Sequence, residues 1–170
     1  MAQEISELYE FPMYLGLIVM DISKAEYFVF CGIAHLEGFP DHLQPERVSE
    51  LYEDFHVFTG KNGSLRKFRD LVLALNDKTL TDEYELVHSK LCQASHNRAS
   101  HVHRMWMCYT PSKEHFETMY KGKREQVPLK EIKELAFEIS GAANAMSIFV
   151  LSKIYPMRLW PSSGKFPLPP

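Results

Sequence analysis

Four stretches of this chain carry apolar residues at helical spacing, each bounded by helix-breaking residues, and that pattern leaves little room for any fold but a helical bundle. The first covers about 13–36, with Leu17, Ile18, Ile22, Ala25, Phe28, Val29 and Ile33 on one period and Gly38, Phe39 and Pro40 ending it. The second covers about 45–58 through Val48, Leu51, Tyr52 and Phe55; Gly60 to Gly63 breaks it, and Leu65, Phe68, Leu71, Val72 and Leu75 continue it. The third follows Thr81, read as its N-cap with Asp82 and Glu83 in the first turn, and runs through Val87, Leu91, Ala94 and Arg98 to about His103. The fourth starts at Pro128, a suitable first-turn proline, and reaches about Ile154 through Ile132, Leu135, Ala136, Ile139, Ala143, Met146 and Val150.

Two segments lack that period. Residues 104–109, Pro111-Ser112 and 115–120 read as a short hairpin or an irregular connection. The tail from Tyr155 holds five of the ten prolines and is expected to run extended over the surface. The expectation is an all-α, four-to-five-helix up-and-down bundle with a short hairpin or irregular excursion before the last helix. Residues 1–154 form its single domain and 155–170 a Pro-rich tail. A chain of 170 residues can bury such a core without staples.

Charge and cysteine usage narrow the function. With 22 acids against 19 Lys plus Arg, the net charge of −3 excludes a protein whose whole surface grips nucleic acid. Cys31, Cys92 and Cys108 form neither an even framework nor a CxxC pair, which fits a reducing cytoplasm. Residues 1–10 are acidic without a basic leader region, and the apolar run 13–33 is interrupted by Asp21, Lys24 and Glu26, so a soluble protein with no membrane partner is expected. No GxSxG, phosphate-binding loop, GxGxxG or CxxC motif is present, and no cofactor is expected.

One segment concentrates chemistry. His96-Asn97-Arg98-Ala99-Ser100-His101-Val102-His103-Arg104 places three His, two Arg and one Asn in nine residues, inside an acid-free stretch from Leu86 to Lys113. Arg holds phosphate bidentately, and His titrates near neutrality without help, so the segment can bind phosphate or supply an acid–base pair. The plainer reading is a polar, solvated helix end, with Trp106 and Tyr109 capping the bundle and Lys121-Gly122-Lys123-Arg124 a solvated turn. A metal reading rests on His88, Cys92 and His96 at i, i+4 and i+8 on one helical face. Metal-binding bundles add carboxylates from partner helices, and this stripe is read without them, so no metal is expected.

The order of parts, with His-Asn-Arg-Ala-Ser-His (96–101) ending the third helix near Trp106, resembles the HEPN (higher eukaryotes and prokaryotes nucleotide-binding) helical domains. It is most similar to small bacterial members with an Arg-Asn-x-x-x-His signature followed by Gly and a nearby Trp. The resemblance covers about residues 13–152, and its specific part is 97–106. In that register Asn97 and His101 match the signature, His96 stands at the position of its Arg, and Val102 at that of its Gly. A second register, Arg98 to His103, matches the Arg-to-His count and puts Ala99 where the Asn belongs.

The resemblance implies an RNA-directed protein, a metal-independent ribonuclease or a degenerate RNA-binding relative, acting as a homodimer with a composite site. It implies that His101 serves as base or acid, His96 or His103 as its complement, Arg98 as phosphate clamp and Asn97 as orienting group. Glu26 pairs with Arg98 or orients a histidine. The dimer is expected to bring the first and third helices to the two-fold axis, with Phe28, Cys31 and the small residues 141–145 allowing close approach. The competing reading is a non-enzymatic helical module that binds a protein partner through its tail or bundle end.

Overall fold

The computed structural model describes residues 2–39, 44–55, 57–102, 105–109 and 115–157. They form α1 (Ala2–Leu36), α2 (Gln44–Asp54), α3 (Ser64–Ala74), α4 (Lys78–Val102), β1 (Met105–Tyr109), β2 (His115–Tyr120), β3 (Lys123–Pro128) and α5 (Leu129–Phe149). A five-residue π-helical turn, Val150–Ile154, prolongs α5. The architecture is the expected helical bundle with its excursion before the last helix.

Contacts set the helix directions. Tyr14 meets the ring of Phe137, Lys24 bonds Asn144, and His35 meets the ring of Tyr155, so α1 and α5 run side by side in the same sense. Asn97 reaches Glu138 while Lys153 reaches Glu83, so α4 runs the opposite way along α5. Between these helices lies one core. Ile18, Phe30 and Ile33 of α1, Phe68 of α3, Tyr84 and Leu91 of α4, and Ile139 and Met146 of α5 are fully buried there. The Tyr84 hydroxyl, which burial would otherwise orphan, donates to the Leu65 carbonyl at 3.2 Å.

Several boundaries differ from the sequence reading. The first helix begins at Ala2 rather than near Met13 and continues through Pro12. The second element ends at Asp54, leaving Phe58 buried in a loop whose carbonyl, with that of Val57, receives the first N–H groups of α3. The start of α4 is at Lys78, and Asp77, not Thr81, caps it: the Leu80 N–H donates to Asp77 Oδ1 at 3.0 Å. A carboxylate accepting an orphan helix N–H is worth about 1 kcal/mol. Leu17 and Tyr52, on the apolar period of the sequence, stay substantially exposed.

The excursion is a three-stranded antiparallel sheet in the order β1-β2-β3, with a bulge between Trp106 and Cys108. The sequence reading, a short hairpin or an irregular connection, did not include β3. Lys121 and Gly122 both have positive φ (51° and 76°), the backbone of a two-residue hairpin whose twist suits the strands it joins. Lys121-Gly122 is therefore the expected turn, while Lys123 and Arg124 belong to β3. At the other end of α5, His35 is buried and bonded on both ring nitrogens. The Gln44 amide donates to Nδ1 at 3.4 Å, which assigns the proton to Nε2, and Nε2 donates to the Met157 carbonyl at 3.0 Å. The extended path expected of the tail beyond Met157 lies outside the described residues.

Among the described residues one helix, Leu129–Ile154, is by length and composition apolar enough to cross a bilayer, and half of its 18-residue apolar window is buried inside the bundle. Residues Ile132, Leu135, Ile139 and Met146 supply that buried face, as a core helix requires.

Glu37 ties three elements together: its carboxylate accepts from Arg47 of α2 at 2.9 Å and from Lys67 of α3. Burial pushes its carboxyl up, but the hydrogen bonds and charges of Arg47 and Lys67 outweigh this and hold it below the ordinary value of 4.5. A depressed carboxyl stabilises the fold above its unfolded pKa and loses that contribution as pH falls through its folded one. Glu37→Gln is expected to cost about 1–3 kcal/mol at neutral pH and much less well below pH 4.5, measured by denaturant unfolding at the two pH values.

Candidate functional site

The second half of α4 carries the polar segment, and its helical geometry sorts the residues. Successive positions turn by about 100°, so 96 and 98 point to nearly opposite sides of the helix, whereas 97 and 98 are both within one turn of 101. Asn97 faces α5: its amide donates to both carboxylate oxygens of Glu138 at 3.3 Å, and its carbonyl accepts from Gln93 at 3.0 Å. Arg98 faces α1 and interacts electrostatically with Glu26. Its Nε is buried without a hydrogen-bond partner among the described residues. His96 is solvent-exposed.

The backbone stays helical through Val102, so position 101 lies on the side shared by 97 and 98. The His101 side chain and the whole of His103 lie outside what the structure describes. The structure therefore brings Asn97 and Arg98 to adjoining faces between α1 and α5 and sets His96 apart from Arg98 within one chain.

The stretch that lacks acids in sequence does not lack them in space. Glu138 comes from α5 and Glu26 from α1. Burial pushes the Glu26 carboxyl above its usual range, and the Arg98 charge only partly opposes this. A carboxyl shifted upward beside a guanidinium with an orphaned donor is the kind of arrangement found where a site awaits an anion or a proton. Chemically, Arg98 supplies a fixed positive charge, Glu26 a carboxyl that burial makes easier to protonate, and Asn97 an amide bonded to Glu138 and Gln93.

Sequence reasoning named Asn97, Arg98 and Glu26 but missed Glu138. Nothing local marks Glu138: it is one of several exposed acids on α5, and only the antiparallel packing of α4 on α5 gives it a role.

Two further features adjoin this region. A cleft of about 400 Å³ between α3 and α4 is lined by Arg66, Arg69, Glu85, His88 and Cys92, with Arg69 bonded to Glu85 at 2.7 Å. His96, the third member of the sequence-level metal stripe, does not line it. Among the described residues no group of three His, Cys, Asp or Glu is placed to hold a metal ion.

The other feature is a set of exposed apolar side chains on α1 (Met13, Leu17 and Met20) and on α5 with its π-helical extension (Phe137, Ile148 and Leu151). Met20, Phe137 and Ile148 are each more than 60% exposed. Of the residues expected to line a dimer contact, Cys31, Ala142 and Ala143 are instead in the chain's own core and Phe28 packs partly against it, while Gly141 is open to solvent.

The fold and the site define the chain as a helical bundle with a mixed-charge polar site on the fourth helix. No protein-family model, curated protein or solved structure matches it.

Proposed function

We propose that this chain is an RNA-directed protein of the HEPN-like type, holding a backbone phosphate at the end of α4. The observation that carries this reading is the buried Nε of Arg98, which has no hydrogen-bond partner among the described residues, beside a Glu26 carboxyl raised by burial. A guanidinium with a free desolvated donor suits a phosphate oxygen, and the charge-assisted bond would satisfy the orphaned group. Asn97 then orients the phosphate or an imidazole, with Glu138 fixing its amide.

Cleavage through the RNA 2′-hydroxyl requires a base for that proton, an acid for the leaving 5′-oxygen and a cation on the phosphorane. In this reading His101 is base or acid, His96 or His103 its complement, and Arg98 the cation. Positions 96 and 98 diverge on one helix, so where His96 acts together with Arg98 it does so from a second chain, and the reading is of a homodimer that uses no cofactor. Cleavage of RNA that survives EDTA and is abolished by His101→Ala supports the ribonuclease form; binding without cleavage supports the degenerate form.

A second reading is favoured by the apolar face on α1 and α5. Exposed apolar side chains on both helices suit a helical interaction module or the dimer contact itself. Under either account Met20→Lys combined with Phe137→Lys is expected to abolish association. Light scattering at tens of micromolar protein checks this: a mass unchanged by the double substitution excludes the face as the contact.

A further inference from the structure

We infer that the tip of the β2–β3 hairpin, with Lys121, Lys123 and Arg124, is a second phosphate-contacting surface that carries a single RNA strand beyond the end of α4. The inference rests on the RNA-directed reading above and deepens it: the partner is a strand of several nucleotides rather than a lone phosphate.

Strand register places the tip. Met105 opens β1 soon after α4 ends at Val102; it pairs with Met119, and Met119 pairs with Arg124. Tyr120 pairs with Lys123, closing the hairpin over Lys121 and Gly122. The turn therefore lies at the end of the sheet where the chain arrives from α4, opposite the end where Pro128 leads into α5. Strand spacing, the short connection and one helical turn together keep the Arg124 backbone within about 30 Å of that of Arg98. Proteins that bind single strands ordinarily cover about 4–16 nucleotides, enough to reach both.

Lys121, Lys123 and Arg124 are all exposed. The acids of the hairpin are Glu117 and Glu125, and Arg124 pairs with Glu117 on β2. Arg124 is 64% exposed in that pair, and an ion pair open to water contributes little, so a phosphate can take over the guanidinium. Met119, the cross-strand partner of Arg124, is also exposed and offers a base an apolar contact beside the cation. The positive φ of Lys121 and Gly122 makes a tight two-residue turn, so these cations stand on a firm strand pair. In a chain of net charge −3, grouping cations where the strand runs gives a local attraction that the whole surface lacks.

The test uses the full chain and two probes: a trinucleotide, followed by NMR shifts of the protein, and a strand of about 12 nucleotides, followed by fluorescence anisotropy. The tip variant combines Lys121→Asn, which tolerates positive φ, with Lys123→Gln and Arg124→Gln. With its fold confirmed by circular dichroism, it should bind the long strand about tenfold or more weakly. It should also flatten the salt dependence by about two units of slope, as three fewer phosphates are neutralised. Its affinity for the trinucleotide should be unchanged, whereas Arg98→Ala should weaken both probes. Unaltered binding of the long strand by the tip variant, or an equal loss with both probes, overturns the inference and leaves the Arg98 reading standing. No RNA binding by the unaltered chain overturns that reading, and this inference with it.

Discussion

Phe68→Ala is expected to cost about 3–5 kcal/mol. Phe68 is fully buried where α1, α3, α4 and α5 meet, with the rings of Tyr84 at 5.3 Å and Phe149 at 6.4 Å. Domains of this kind have only about 5–15 kcal/mol in total, so the variant sits near its unfolding limit. Gly32 explains why no other residue substitutes freely here. A Cβ at Gly32 would stand 2.6 Å from Phe68 Cε2, so α1 approaches the ring as closely as a backbone can.

Gly32→Ala therefore sets an overpacking cost of about 1–3 kcal/mol against a helix-propensity gain of about 1 kcal/mol. Shrinking the ring should relieve the clash. Gly32→Ala and Phe68→Leu are expected to be non-additive in a double-mutant cycle read by denaturant unfolding, with the pair less destabilised than the singles imply. Additive losses would mean that the two do not share the contact.

Arg98→Ala is expected to weaken RNA binding by about tenfold to a hundredfold, the range set by losing a hydrogen bond to a charged group. The effect should be similar for all RNA sequences, because a phosphate clamp carries no base information. It should also flatten the salt dependence of binding by about one unit of slope, since one fewer counterion is released. Arg98→Lys is expected to recover only part of the affinity, a point charge lacking the planar fork of the guanidinium. Loss confined to one base context would assign Arg98 to base reading instead.

What the sequence made legible followed from period and punctuation. The stripes through Ile18 and Val29, through Leu65 and Phe68, and through Ile139 and Met146 each became a buried helix face, because a 3.6-residue repeat can satisfy a core only as a helix. What it hid was set by other forces. Residues 2–12 have no apolar stripe strong enough to announce a helix, and Pro12 argues against one, yet α1 runs through them. Residues 123–128 read KREQVP, four polar residues first, and become a strand only because a tight turn at Lys121-Gly122 folds them onto β2.

The Thr81 cap was displaced because Asp77, four residues earlier, offers the stronger acceptor and the chain between them is helix-competent. At the polar site, the nearness of Asn97, Arg98 and His101 was legible from spacing alone. Glu26 was named beside Arg98 through the resemblance, but Glu138 was not legible, because it lies 41 positions from its partner Asn97 and arrives only through packing.

The most direct measurement is a fluorescence anisotropy titration of single-stranded RNA with the full chain, at low salt and about pH 6, where histidine side chains carry charge. The account predicts saturable binding that weakens steeply as salt rises and falls at least tenfold in Arg98→Ala, while the Lys61→Ala control, remote from the site, leaves it unchanged. Absence of binding under these conditions, or equal binding by Arg98→Ala, would contradict it and leave the apolar face of α1 and α5 as the functional surface.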